Sequence, residues 1–511
     1  MRPLVSVIVV LDADEQAAAG RIADVKSQDW PDLEVIVVAT DERMQGAPGV
    51  TITAGNRAAA INAGVAASRG EYISLHLPGV HYVPDKVSRQ VRFMEAFELQ
   101  QAVIFCNHAV RGGGGRADSE VVLRGVDPSD MFRALYCGLP LQFCSALFPR
   151  RAFADCGPLD TTAPQAALHG FVLQLSRRMP FVGMADTLLR VDAASPGGQA
   201  QRELRRLYAR VLPAVLDDLP GGARHLARLA CLGEAMSARL SDGLPMAALD
   251  VLRRAFDDGR RRMFEPASLR ALFGPSMRLA FRQLPARVRA SLRRGRRPRN
   301  AVAHGRLDFQ SIYRDNGFGA NESRSGAGST RFQTRIIRRE LPMLLQQLGA
   351  RSLLDIPCGD FHWMSEVALT GIDYTGADVV QDMVDANRRR YGAAGRTFVR
   401  VDLVAGPLPP SDVVFCRDCL VHLPFEDALS AIATICDSPC EWLLMTTFTR
   451  GDPNRELDDE GWRPLNLTLP PFNFPPPERM IVEKCTEAGG RAGDKILGLW
   501  RIADLPRPVR P

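Results

Sequence analysis

The sequence predicts an α/β protein with two separate sheet-containing domains. Short apolar strands alternate with helical patterns up to about residue 195, and again from about residue 300 to the end. This alternation predicts sheets of largely parallel strands connected by helices. Between the two stretches the pattern is helical without strands, and 511 residues suffice for two or three domains with full cores.

The first domain is predicted over residues 1–199 and ends at the sequence PGGQ (196–199). Its predicted strands are the apolar runs LVSVIVV, EVIVV, GEYISL, AVIFC and SALFP. The first run is too short for a signal peptide, and no apolar run approaches the ~18 residues that span a bilayer. We therefore expect a cytoplasmic protein.

Residues 200–300 form a predicted helical connector whose end is strongly basic. Residues 281–299 carry eight arginines and no acidic residue. This run is either a solvated linker helix or a surface for anionic lipid, where each arginine contributes about 1 kcal/mol. The second alternative implies a peripheral position at the inner membrane. Few aromatic residues interleave the arginines, so no nucleic-acid partner is expected.

Eleven cysteines in a chain without a signal sequence indicate reduced thiols. Cys416, Cys419, Cys436 and Cys440 are spaced like a four-cysteine zinc site. However, Cys416 ends an apolar strand and Cys436 closes a helical pattern, and neither pair has the glycine-containing turn of a zinc knuckle. We therefore predict no metal site.

Acidic residues follow four successive strands of the domain predicted at 301–511. Asp355, Asp378, Asp402 and Asp418 stand at or just past the strand ends, in steps of 23, 24 and 16 residues. A single acid there is usually a helix cap or a surface residue. Four acids at these regular intervals indicate one crevice outside the carboxyl ends of the strands, where open α/β sheets bind ligands. The predicted strands are SLLDIP, DYTGAD, TFVRVDL, DVVFCRD, WLLMTTF and ILGLWRI.

These acids, together with DIPCGDFHWM, SRSGAGS and RDCLVHLP, resemble class I S-adenosylmethionine-dependent methyltransferases. The resemblance implies a Rossmann-like seven-stranded sheet and S-adenosyl-L-methionine as the cofactor. The motifs are similar to a bacterial branch associated with surface polysaccharides, which implies a sugar of a capsule or lipopolysaccharide as the acceptor. One departure is clear, because only Gly359 remains of the family's glycine-rich loop.

The resemblance also implies roles for individual residues. Gly359 lets the backbone approach the methionine end of the cofactor. Asp378 accepts hydrogen bonds from the ribose hydroxyls, and Asp402 with Leu403 meets the adenine edge. The full predicted cofactor-binding set is Asp355, Pro357, Gly359, Asp360, Asp378, Asp402, Leu403 and Arg417.

Methyl transfer to a hydroxyl group needs a base that takes the hydroxyl proton. Histidine titrates near neutral pH, and His422 follows the fourth strand by a few residues. We predict that His422 is the general base and that Asp418 orients it or shares its role. Alternatively, His422 only caps or packs against the next helix. His362 is a weaker candidate that is expected to pack near Trp363.

Two loops accompany this site. Residues 322–329 (ESRSGAGS) either fold over the cofactor as a lid or form a flexible linker. Residues 466–477 (NLTLPPFNFPPP) contain too many prolines for a regular helix or strand. They either contact a sugar ring through their phenylalanines or form a structural loop.

The first domain resembles family 2 glycosyltransferases of the GT-A fold, through VSVIVV, SQDWPDLEVIVV, NAGVAASRGEYI, VPDKVSRQV and FPRRAFADCGPLD. In that family, carboxylates hold the nucleotide and a divalent metal, and one acts as base. In this chain the segment at the place of the family's metal-binding carboxylates, His76 to Gly79, contains no acid. After the second strand only a displaced acid, Asp41, is present. His169 and Gly170 stand where the family has its later acidic pair. We predict that the domain has lost transferase activity and binds substrate or scaffolds.

Histidines 76, 81 and 169 could replace the lost metal ligands, but histidine is a poor magnesium ligand. Three functions remain open on the sequence. The first is a methyltransferase that O-methylates a sugar, assisted by the degenerate first domain. The others are a bifunctional glycosyltransferase–methyltransferase and a non-catalytic glycan-binding or scaffold protein. For the methyltransferase, a non-carbohydrate acceptor such as a phosphoramidate or a small metabolite also remains open.

Overall fold

The computed structural model describes residues 2–12, 15–41, 49–111, 118–123, 128, 131–136, 139, 141–192, 302–303, 306–318, 322–458 and 461–508. The chain divides into two compact units, Met1–Gly295 and Arg296–Pro511. The predicted connector at 200–300, its basic end and the PGGQ boundary lie outside the described residues. The predicted domain limits and membrane contact therefore stay predictions.

A nine-stranded sheet forms the centre of the N-terminal unit. Its strands are β1 (Val5–Leu11), β2 (Leu33–Ala39), β3 (Ile52–Thr53), β4 (Tyr72–His76), β5 (Val80–Tyr82), β6 (Val103–Val110), β7 (Ser119–Val121), β8 (Ala146–Pro149) and β9 (Phe181–Val191). The order is β3-β2-β1-β4-β8-β6-β9-β5, with β7 paired to β6. Pairs among β1 to β4 are parallel, whereas β8 runs antiparallel to β4 and β6. All five predicted strands are confirmed within this mixed sheet.

The helices of this unit are α1 (Glu15–Lys26), α2 (Arg57–Ala67), α3 (Lys86–Ala96), α4 (Met131–Tyr136), α5 (Arg151–Cys156) and α6 (Ala167–Leu175). Every residue of β1 is buried, and all but Ser6 are apolar, as expected of a central strand that is covered on both faces. The start of α2 is fixed by Asn56, whose side chain accepts a hydrogen bond from the Ala59 amide at 2.9 Å.

The C-terminal unit contains a seven-stranded sheet in the order β14-β13-β12-β15-β16-β18-β17. After the short pair β10 (Val302–Ala303) and β11 (Arg306–Leu307), these strands are β12 (Ser352–Asp355), β13 (Asp373–Asp378), β14 (Arg396–Arg400), β15 (Val413–Cys416), β16 (Trp442–Phe448), β17 (Arg479–Val482) and β18 (Lys495–Arg501). The first five are parallel, and β18 runs antiparallel between β16 and β17. Six strands were predicted; β17 was missed because it has only four, mostly exposed residues.

Four helices accompany this sheet: α7 (Phe309–Asp315), α8 (Arg335–Leu348), α9 (Gln381–Tyr391) and α10 (Phe425–Cys436). Helix α8 buries one apolar stripe and ends at Gly349, whose φ of 66° suits a residue without a side chain. Across the described parts of both units, no helix has the length and apolar character needed to cross a membrane.

Candidate active site

A cavity of about 740 Å³ lies at the carboxyl ends of β12 to β15. The strand order reverses between β12 and β15, which opens a crevice where open α/β sheets bind ligands. The cavity is lined by all ten residues predicted for the site, namely Asp355, Pro357, Gly359, Asp360, Asp378, Asp402, Leu403, Arg417, Asp418 and His422.

Asp378 fixes the loop that follows β12. Its carboxylate accepts hydrogen bonds from the amides of Gly359 at 3.1 Å and Val380 at 3.0 Å. A carboxylate can accept about four hydrogen bonds, so the group has room for at least one more. Burial raises the pKa of Asp378 to about 6, so the carboxylate is charged at pH 7.

The structure gives Gly359 a different reason for being glycine from the predicted one. Its φ is 56°, and a Cβ atom there would lie 2.2 Å from Oγ of Ser325. A side chain would therefore collide with the 322–329 segment, whatever the position of a cofactor.

Asp360 holds the 322–329 segment. Its carboxylate accepts hydrogen bonds from Oγ of Ser323 at 2.9 Å and from the Arg324 amide at 2.8 Å, while its own amide donates to Oγ of Ser325 at 2.9 Å. From the other side, Nη2 of Arg417 donates to the Gly328 carbonyl at 3.1 Å. Of the two alternatives for residues 322–329, these bonds favour the lid and argue against a flexible linker. Asp360 also lines the cavity, so its predicted part in cofactor binding stays a prediction.

Asp355 lies at the floor of the cavity and is only 2% exposed. It accepts a hydrogen bond from the Tyr374 hydroxyl at 2.6 Å. Burial raises the pKa of Asp355 to about 8, so it is mostly protonated at pH 7. Asp402 differs, because it is exposed after β14 and accepts a hydrogen bond from the Val404 amide at 2.9 Å. Leu403, beside it, is buried and adds an apolar wall.

Asp418 belongs to a buried ion cluster. Its Oδ2 lies 2.6 Å from Nζ of Lys495 and 3.2 Å from Nη1 of Arg417, and Arg417 also pairs with Glu483 at 2.7 Å. Burial alone would raise the pKa of Asp418, but the two cations outweigh it and lower the pKa to about 2. The suggestion that Asp418 shares the role of base is therefore wrong, because so weak a base stays unprotonated near neutral pH.

His422 ends a short 3₁₀ turn, Leu420–His422, just before α10. Its Nδ1 lies 2.7 Å from the carbonyl oxygen of Gly461. A carbonyl oxygen only accepts, so Nδ1 carries the proton and Nε2 keeps its lone pair. Burial lowers the pKa of His422, which favours this neutral form at pH 7. Gly461, and not Asp418, therefore orients the ring, which contradicts the predicted orienting role of Asp418.

Sequence reasoning missed Lys495, Glu483 and the segment around Gly461. They are 77, 66 and 39 residues away from their partners Asp418, Arg417 and His422. A lysine at the start of the apolar run KILGLW is a weak sequence signal of a buried charge. Glu483 and the segment around Gly461 give no such signal in the sequence.

The remaining candidates of this unit lie elsewhere. His362 places Nε2 at 2.9 Å from Oε1 of Glu322, and it does not line the cavity. Phe472 and Phe474 of the proline-rich loop are each 3% exposed and pack in the hydrophobic core. The sugar-contacting alternative for this loop is therefore wrong, since the faces of both rings are covered.

In the N-terminal unit, the histidine at the usual place of the metal ligands is a core residue. His76 is fully buried, with Nε2 at 3.2 Å from Oδ2 of Asp24 and its ring 4.7 Å from that of Tyr82. His81 faces Asp192 at 3.4 Å, and His169 packs against Phe143, where burial lowers the pKa of His169 to about 4. Within the described ranges, no group of three or more potential metal ligands is found.

Residues 354–438 match the family of methyltransferase domains. The matched stretch begins in β12, ends just after α10, and contains the predicted acids as well as His422. The predicted methyltransferase domain is confirmed, and the family indicates S-adenosyl-L-methionine as its cofactor. No curated protein matches the chain.

Some solved structures resemble parts of the chain at low identity. Residues 1–349 of TarS from S. aureus, in complex with UDP-GlcNAc, are 15% identical over 60% of this chain and 95% of that chain (TM-score 0.38). This chain spans only half the length of another TarS structure that it matches. The mannosyltransferase PcManGT from Pyrobaculum calidifontis is 16% identical over 53% of this chain and 85% of that chain (TM-score 0.33).

The magnesium protoporphyrin IX methyltransferase from Synechocystis PCC 6803, with bound SAH, is 20% identical over 28% of this chain and 70% of that chain (TM-score 0.23). All these TM-scores are below 0.5, and such likenesses do not define an activity. The α/β class of both units follows from their own sheets.

Proposed function

We propose that the C-terminal unit is an S-adenosyl-L-methionine-dependent methyltransferase that methylates a hydroxyl group of a sugar. The observation that carries this proposal is the hydrogen bond from Nδ1 of His422 to the Gly461 carbonyl, in the cavity of a methyltransferase domain. It leaves a neutral imidazole with a free lone pair at Nε2, which is the form that a general base requires.

The residues around the cavity fit the cofactor. The Asp378 carboxylate is charged at pH 7 and has room to accept a hydrogen bond from a ribose hydroxyl. Val380, Met383 and Leu403 give apolar walls for the adenine ring. The ion cluster carries both signs of charge, as the zwitterionic amino-acid end of the cofactor requires.

The bound cofactor supplies an activated methyl group, so the protein has to position the acceptor and remove one proton. In this proposal Nε2 of His422 takes that proton, while Gly461 holds the ring in place. Lys495 and Arg417 keep Asp418 charged, and Asp360 and Arg417 hold the 322–329 lid over the cavity. The lid excludes water that would compete with the acceptor.

We further propose that the N-terminal unit has no glycosyltransferase activity and that the sugar belongs to a bacterial surface polysaccharide. The buried His76–Asp24 pair supports the first point, because a core histidine replaces an exposed carboxylate. The second point rests on the sequence resemblance described above.

The test is an incubation of the full chain with methyl-labelled S-adenosyl-L-methionine and extracts of bacterial surface glycans. We expect label in glycan that resists alkaline hydrolysis, because a methyl ether is stable to base whereas a methyl ester is cleaved. Base-labile label, label on nitrogen, or no binding of S-adenosylhomocysteine in calorimetry would contradict the proposal.

A further inference from the structure

Trp462 is an exposed aromatic residue on the wall of the cavity. Trp462 is 41% exposed, although Gly461 and Arg463 on either side are buried. Exposing a large apolar ring forgoes the free energy that its burial would contribute, so such a ring at a cavity often marks a ligand contact.

The segment that carries Trp462 is bound to the turn that carries His422. The Gly461 carbonyl accepts from His422, and the Arg463 amide donates to the Val421 carbonyl at 3.1 Å. Nη1 of Arg463 also donates to the carbonyls of Leu420 and Val421, at 3.2 Å each. Trp462 therefore stands between two anchored neighbours, at a fixed position relative to the base.

Two further aromatic groups line the same cavity, and a third packs against Trp462. The Phe318 ring lies 5.4 Å from that of His422, and both line the cavity. Behind Trp462, the buried Phe448 meets its ring edge-on at 5.9 Å. An exposed indole face with rigid support suits a ligand that has one apolar face and polar edges.

We propose that Trp462 is the platform on which the sugar ring of the acceptor stacks. The C–H face of a pyranose covers the indole, and one of its ring hydroxyls is presented to Nε2 of His422. This inference rests on the proposed function and assigns its acceptor-binding residue. It replaces the Phe472–Phe474 loop, which the sequence suggested for this role and whose rings are buried.

The experiment uses the full chain saturated with S-adenosylhomocysteine and a panel of methyl glycosides of common hexoses and deoxyhexoses, with phenol as a flat aromatic comparison. Saturation-transfer NMR detects weak binding and shows which sugar protons touch the protein. The variants are Trp462→Ala, Trp462→Phe and, as a control, Met480→Ala. Met480 is 55% exposed on β17 and does not line the cavity.

We expect at least one glycoside to bind, with the strongest transfer to the C–H protons of one ring face. W462A should weaken this binding by about tenfold or more, whereas W462F and M480A should stay near the wild type. The inference is overturned if no glycoside binds, if W462A binds as tightly as the wild type, or if only phenol responds. Calorimetry with S-adenosylhomocysteine on the same samples tests the proposed function separately, because Trp462 should not affect that affinity.

Discussion

Nδ1 of His422 donates a hydrogen bond to the carbonyl oxygen of Gly461 at 2.7 Å. The tautomer of the ring is therefore set by a backbone atom that cannot change its protonation state. The free nitrogen, Nε2, remains the basic one over the whole pH range in which the imidazole is neutral. Gly461 thus determines which atom of His422 can take a proton.

Replacing His422 should separate its chemical role from its structural one. In H422N the amide can still donate to Gly461 but has no basic nitrogen, so kcat should fall about 100-fold to 10,000-fold. H422A should lose the same activity and about 1 kcal/mol of stability, because the hydrogen bond is also lost. Steady-state kinetics and chemical unfolding measure the two effects.

The pH dependence of kcat gives a second check on this residue. Burial lowers the pKa of His422 below its usual value, so the wild type should be on its plateau at pH 7 and lose activity only at lower pH. An H422N enzyme of nearly normal kcat, or one with the wild-type pH profile, would exclude His422 as the base.

Asp378→Asn should weaken binding of S-adenosylhomocysteine by about 10-fold to 100-fold, the range expected for lost hydrogen bonds to a charged group. Because the pKa of Asp378 is raised to about 6, the wild-type affinity should fall as the pH is lowered through 6, when the carboxylate gains a proton. D378N should lack this step. The control is Asp373→Asn, an exposed residue at the other end of β13. If titration calorimetry gave D378N and the wild type equal affinities for S-adenosylhomocysteine, the role of Asp378 in cofactor binding would be disproved.

Gly359→Ala should destabilise the C-terminal unit through its contact with Ser325. The added Cβ would lie 2.2 Å from Oγ of Ser325 at a positive φ. Gly371 is the matched control, because its φ is 79° and a Cβ there meets nothing within 4 Å. G371A should cost only the backbone strain, roughly 1–2 kcal/mol, and G359A clearly more. Ser325→Gly should recover part of the difference. If G359A and G371A lost equal free energy of unfolding in urea, the contact between the added Cβ and Ser325 would be relieved at no cost.

Asp355→Asn should change how stability depends on pH. Burial raises the pKa of Asp355 to about 8, well above the ~4 of an unfolded chain. The stability contributed by its bound proton is full below pH 4 and is lost as the pH rises to 8. D355N keeps an acceptor for Tyr374 and has no proton to lose. The free energy of unfolding of D355N relative to the wild type should therefore increase from pH 4 to 8. Parallel curves would mean that Asp355 ionises normally.

A panel of nucleotide-sugars, titrated in a calorimeter with and without Mn²⁺, should give no metal-dependent binding. The reason is the loss of carboxylates where family 2 glycosyltransferases bind their metal. His76 is held in the core by Asp24 and Tyr82, so it offers no replacement. Tight binding that requires Mn²⁺ would instead establish the bifunctional alternative.

The sequence by itself determined five strands of the first sheet, six of the second and the line of acids at the ends of four of them, but it missed the strands β3, β5, β7, β9 and β17. Runs such as VSVIVVL and WLLMTTF have a strong local signal, because strands buried on both faces need nearly continuous apolar side chains. The parallel strands β12 to β15 each carry one of the acids Asp355, Asp378, Asp402 and Asp418 at or just past the carboxyl end, although only the step from Asp378 to Asp402 contains an α-helix, α9. All four therefore line one cavity, as predicted.

Only the tertiary structure decided which groups these residues meet. Asp418 pairs with Lys495, Asp360 with Ser325, and His422 with Gly461, and each of these partners is 35 or more residues away in the chain. The strength of an acid or a base depends on burial and on neighbouring charges, and both arise from long-range packing that one sequence does not display. For the same reason the sequence pointed to Phe472 and Phe474 for sugar contact, whereas packing buried both rings and left Trp462 exposed.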